Sequence, residues 1–135
     1  MDKPDKQNYQ KKNKFDSVLD SYEAELNRVK GLVSEQQSDL ERWTRDAAVA
    51  PRWELRARRI ASKIPTGSRV IDIGCGNGVL AGYLPDGCNY TGADIVKRTE
   101  DTVLIDVNAN KWPKGNWDIA VAAGVLEYVY DVEAF

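Results

Sequence analysis

Residues Arg69 to Leu84 read R-V-I-D-I-G-C-G-N-G-V-L-A-G-Y-L, and few folds accommodate such a run. Arg69 to Ile73 is short, apolar and rich in β-branched side chains, which suits a strand covered on both faces of a parallel sheet. Gly74, Gly76 and Gly78 follow at alternate positions. Glycines are needed where the backbone takes φ angles costly for other residues, or where a ligand lies against bare backbone. Val79, Leu80, Tyr83 and Leu84 then recur at helical spacing. A strand, a glycine turn and a helix in that order open a βαβ unit.

Two nucleoside-binding patterns compete for this turn. The dinucleotide fingerprint G-x-G-x-x-G would place its third glycine at position 79, which is Val79. Here Gly78 comes one residue early, and Asp72 stands two residues before the first glycine. D-I-G-C-G-N-G resembles the first motif of class I S-adenosylmethionine (SAM)-dependent methyltransferases. The resemblance implies that Asp72, Gly74, Cys75, Gly76, Asn77 and Gly78 lie under the amino-acid end of SAM. That end carries no phosphate and tolerates a nearby acid.

The strand expected next, Asn89 to Ile95, contains Asp94 about 20 residues beyond Gly74. An acid at that spacing reaches both ribose hydroxyls from the tip of strand two. SAM and nicotinamide dinucleotides share that ribose, so Asp94 does not choose between them; Ile95 goes with it. Only residues 96–101 separate strand two from the apolar run Thr102–Ile105. A parallel crossover normally needs a dozen residues or more, so a full crossover helix does not fit. The resemblance gives Asp106 to the adenine amino group and Val107 to the adenine ring. By residue type, Asp106 equally suits a loop cap.

Trp117 to Ala123 reads as strand four, and W-D-I-A-V-A-A-G-V-L-E-Y-V resembles the family's fourth-strand motif with the helix start behind it. The resemblance places Gly124 at the methionine side of the cofactor. Many relatives carry His where this chain has Tyr128, so Glu127 and Tyr128 are the candidates for a base; both also suit an ordinary helix. The family's sheet has seven strands in order 3-2-1-4-5-7-6. Residues 51–135 would supply about four of them. The expectation is an incomplete, Rossmann-like, largely parallel α/β domain for SAM, with strand four as an exposed edge. Either the chain is a fragment or another chain completes the sheet, and methyl transfer by these residues alone is not expected.

The segments ahead of this domain are of a different kind. Residues 1–14 hold five Lys and two Asp with almost nothing to bury, and read as a disordered tail. A helix is expected from Asp16 as N-cap. Phe15, Leu19, Tyr22, Leu26, Val29, Val33, Gln36, Leu40, Trp43 and Ala47 alternate gaps of four and three, an a/d heptad seam. The expected extension, residues 15–50, is either one coiled-coil-like helix or two helices broken near Ser34–Ser38. Ser38-Asp-Leu-Glu41 would be the capping box of the second. The seam either packs on its own domain or builds a homo-oligomer through residues 15–47. Pro51 then opens a helix with Trp53, Ala57, Ile60, Ala61 and Ile64 on its apolar face, and Arg52, Arg56, Arg59 and Lys63 on another.

Charge and composition narrow the function. The 19 Lys and Arg nearly balance 21 Asp and Glu. Residues 65–135 hold five basic and ten acidic residues, which argues against a nucleic-acid partner there. No histidine is present, which excludes histidine as base or metal ligand. Cys75 and Cys88 give neither a disulfide framework nor a metal set. No apolar stretch is long enough to span a membrane, and a reducing cytoplasm is the default. The function expected is SAM binding, with methyl transfer to an unknown acceptor in the intact protein. The alternatives are a catalytically inactive relative or helical assembly module, and a nicotinamide-dependent oxidoreductase, which Val79 and Asp72 disfavour.

Overall fold

A computed structural model describes residues 6–45 and 51–135. It forms two compact units, one reaching Gln37 and one spanning Ser38–Phe135. Of the expected disordered tail, residues 1–5 lie outside the described residues, as does the stretch 46–50.

The first unit is a single helix, α1 (Lys6–Ser34). It starts well before Asp16, which is an exposed mid-helix residue rather than a cap. The stretch to Ser34 contains no proline and is rich in Lys, Gln, Glu and Leu, all good helix formers. Its end is closed by backbone: Gln36 takes a left-handed φ of 53°, and Gln37 N donates to Leu32 O (2.9 Å) while Gln36 N donates to Val33 O (3.2 Å). This is a Schellman closure with glutamine where glycine usually stands. The heptad seam is therefore interrupted at Gln36: Leu40 and Trp43 belong to another helix, and Ala47 lies outside the described residues. Val18, Leu19, Tyr22, Leu26 and Val33 are exposed on α1.

The second unit starts before residue 51, where the domain boundary was expected. Its first helix, α2 (Leu40–Thr44), is capped by Asp39, whose carboxylate accepts from Arg42 N at 3.1 Å. Ser38 is not the cap; its hydroxyl donates instead to Asp106 Oδ1 at 2.6 Å. Helix α3 (Pro51–Ala61) starts on proline, whose missing N–H costs nothing in a first turn. Ala57, Ala61 and Ile64 are buried, as the apolar spacing requires.

Four strands follow: β1 (Arg69–Ile73), β2 (Asn89–Asp94), β3 (Val103–Leu104) and β4 (Ile119–Val121). All pair in parallel, in the order β3-β2-β1-β4, so the expected Rossmann-like, parallel α/β arrangement is present. Alternation along β1 divides the core. Val70 joins Ala57, Ala61, Ile64, Leu80 and Val121 on the α3 face. Ile71 and Ile73 join Ala93 and Ile105 on the other.

Three connections differ from expectation. The helix after the glycine turn is a 3-10 turn, Val79–Tyr83. Pro85 disfavours helical backbone at Leu84, which is extended (ψ 144°), so the element stops within five residues. Strand three is only two residues long. The connection from Asp94 is too short to travel back along β2, so β3 pairs only with Ala93 and Asp94 at its tip. After β4 the expected helix is a 3-10 turn, Leu126–Tyr128. Among the described residues, no helix is long and apolar enough to cross a membrane.

Leu80 is 5 % exposed and anchors the 3-10 turn in the core, whereas Leu104 is 60 % exposed on β3. Leu80→Ala should cost about 3 kcal/mol of stability and Leu104→Ala well under 1. Urea midpoints at constant slope measure both; equal losses would mean that the turn is not docked.

Candidate functional site

The site grows from the carboxyl ends of β1 and β2. As β1 ends, Gly74 N and Cys75 N both donate to Ala93 O (2.8 and 3.1 Å), and Gly78 N closes a turn on Cys75 O (2.9 Å). Gly76 N donates to Asp94 Oδ2 at 2.8 Å, and Val96 N to Asp94 Oδ1 at 3.1 Å. Asp94 thus clamps the glycine loop to the tip of β2.

The glycines have different reasons. Gly74, Gly76 and Gly78 all have positive φ (72°, 52° and 70°). A Cβ on Gly74 would run into the Val125 methyl, so that glycine makes room for the segment after β4. A Cβ on Gly78 would make ordinary contact with Tyr90 Oη at 3.7 Å. At Gly76 a Cβ would meet nothing within 4 Å, and the backbone there faces open space. Gly124, also at positive φ (78°), lies beneath Arg56: its Cβ would sit 3.0 Å from Nη1.

Asp72 is 5 % exposed, and its Oδ2 accepts from Tyr90 Oη at 2.9 Å. Burial pushes its carboxyl up to about 6; Tyr90's hydrogen bond opposes this, Asp94's charge adds to it, and Arg56's charge opposes it. Burial, with Asp94 and Asp72 nearby, pushes the Cys75 thiol up to about 12. The thiol is neutral at physiological pH and is no nucleophile. Asn77 is exposed at the loop tip and Ile95 half-buried beside Asp94.

Asp106 caps a 3-10 turn (Val107–Ala109): Oδ1 accepts from Asn108 N (3.0 Å) and from the Ser38 hydroxyl. The loop-cap reading of its residue type is realised here. Val107 packs against the Ile71–Ile105 cluster. Asn108 ties three segments together. Its Nδ2 donates to Ser38 Oγ (2.8 Å) and Tyr128 O (2.9 Å), and its Oδ1 accepts from Tyr130 N (3.0 Å). Tyr128 stands edge-on to Trp43 at 5.0 Å, with the Arg42 guanidinium over both rings. Arg98 donates to Trp43 O. Glu127 is exposed.

Asp72, the loop from Gly74 to Gly78, and Asp94 thus form one constellation, and Asp106 and Tyr128 are joined through Asn108 in a second. Sequence reasoning missed Tyr90, Arg56 and Asn108 as site residues. None of the three left a signal in the sequence; Tyr90 stands two residues before Gly92, whose pairing with Asp72 only the strand register shows.

A parallel sheet in this order, with a glycine loop closing its central strand against an acid at the neighbouring tip, defines a Rossmann-like α/β domain. A family model described as a methyltransferase domain matches residues 41–135, and the chain belongs to that family. No curated protein and no solved structure matches it.

Asp72 also predicts a pH dependence. Its folded pKa, about 6, lies above the ordinary value of about 4. The folded state therefore holds its proton more tightly, and Asp72's contribution to stability falls as pH rises from about 4 to about 6. The loss approaches about 3 kcal/mol. Asp72→Asn should be more stable than the parent at pH 7 and little different at pH 4. Denaturation at the two pH values checks this, and an unchanged pH slope in the variant would contradict it.

Proposed function

We propose that the domain binds SAM across the carboxyl ends of β1, β2 and β3 and serves methyl transfer to an acceptor. The observation that carries this reading is the open space above Gly76, at the centre of a loop whose backbone is already held by Asp94. The charges around it suit a zwitterion: Asp72 for the ammonium of the amino-acid end, and Arg56, over Gly124, for its carboxylate. Backbone of Gly74, Cys75, Asn77 and Gly78 would complete that cradle. Asp94 and Ile95 would meet the ribose. Each Asp94 oxygen accepts one N–H, which leaves a lone pair apiece for the two hydroxyls. Asp106, whose Oδ2 is not used by Ser38 or Asn108, and Val107 would meet the adenine.

When bound, SAM supplies a methyl group made electrophilic by a positively charged sulfur. The chain contributes binding and orientation, and Glu127 and Tyr128 are the candidates to take a proton from the acceptor. The free cysteines suit a reducing cytoplasm.

Calorimetry with SAM tests the reading. Gly76→Ala places a methyl group in the open space, at a cost of about 1–2 kcal/mol in backbone strain. It should weaken SAM at least tenfold in a chain that still unfolds cooperatively; unchanged affinity would remove the loop from the site.

The exposed apolar stripe of α1 favours an assembly role beside the cofactor site, and we take a second copy of the chain to cover it. Sedimentation should show an oligomer for the full chain and a lower state for Leu26→Glu, which places a charge on the seam. A monomeric parent would refute this.

A further inference from the structure

Tyr90 sits in β2 opposite Val70, and Gly92 sits opposite Asp72. Residues 90 and 92 share one face of the strand. Because Gly92 has no side chain, the Tyr90 ring leans across it to reach Asp72. A Cβ at Gly92 would stand 3.2 Å from the Tyr90 ring and hydroxyl and 3.0 Å from Cys75 Sγ. Asp72 Oδ2 takes the phenol's hydrogen bond, and no described residue donates to Oδ1. We propose that Tyr90 is a positioning residue of the cofactor site: its phenol fixes the Asp72 carboxylate through Oδ2 and leaves Oδ1 to the ligand's ammonium. This rests on the SAM reading above.

The chemistry around the pair supports the role. Burial, with the Asp72 charge beside it, drives the Tyr90 phenol well above its usual range, so it remains a donor throughout physiological pH. A hydrogen bond to the ionised form favours that form. The groups facing Asp72 are Tyr90 and Asp94 from β2, Cys75 from the loop and Arg56 from α3. Tyr90 and Arg56 hold the carboxylate charged; Asp94 and burial work against it.

The experiment is calorimetry of SAM binding between pH 5 and 7.5, below the range where an α-amino group titrates, to the full chain and to Tyr90→Phe. Carbon-13 NMR of the Asp72 carboxyl in the ligand-free protein accompanies it. For the parent, affinity should rise with pH through a midpoint near 6, the value to which burial pushes Asp72. In Tyr90→Phe the midpoint should move up in both measurements, and affinity at pH 7 should fall about tenfold, the scale of one hydrogen bond to a charged group. If Tyr90→Phe does not fold, Gly92→Ala keeps the phenol but displaces it, and should shift the midpoint the same way. A parent that binds SAM, with neither variant moving the midpoint, overturns the proposal alone. So does weaker binding with an unmoved carboxyl titration, which would be a merely structural effect. A parent that does not bind SAM overturns the cofactor reading and the proposal together.

Discussion

One carboxylate holds the working edge of this domain in shape. Asp94 accepts from the Gly76 N–H on one oxygen and the Val96 N–H on the other. Both donors lie where the chain leaves regular structure and would otherwise have only water. A charged acceptor makes each bond stronger than a neutral one. The β1–β2 register, with Ile73 opposite Ala93, brings Asp94 within reach of the loop. The loop in turn frees its Gly76 face, because its own N–H is satisfied from the side.

Asp72 is held in the opposite way. It lies on the α3 face of the central strand beside Val70, where an apolar side chain would pack at no electrostatic cost. Its burial is destabilising at neutral pH, and only Tyr90 and Arg56 offset it. A buried acid kept at such a cost, next to a loop with open space above its backbone, has the pattern of a functional site.

Much of this was legible in the sequence, and the remainder has identifiable causes. Four apolar runs and a glycine turn mark the strands, and their order is the one that the family resemblance implies. The short β3 was foreseeable from the missing crossover length. The 3-10 turn after the loop was not, although Pro85 limits its length: Leu80 in the core, with Val79, Tyr83 and Leu84 packed against it, satisfies the apolar spacing without a full helix. The break between α1 and α2 falls in the stretch Ser34–Ser38 that the sequence offers for it; only the left-handed cap itself is unmarked, because Gln36 and not a glycine adopts it. Ser38, expected as the cap, yields that place to Asp39: either residue type fits, and only the tertiary pull of Asp106 on Ser38 decides. Tyr90 was missed because its role depends on cross-strand register, which local patterns do not contain.

The two-residue pairing of β3 has a wider meaning. Its ladder to β2 involves only Ala93 and Asp94, so sheet hydrogen bonding contributes little to keeping that side of the cleft in place. Ile105 and Val107, packed in and against the core, hold it together with the Ser38–Asp106–Asn108 network and the seating of Trp43 against Tyr128. With so short a ladder, that wall is expected to open at lower free energy than the centre built on β1 and β2. On the proposed SAM reading, the ligand would enter by brief opening of this wall while the glycine loop and its acids stay assembled.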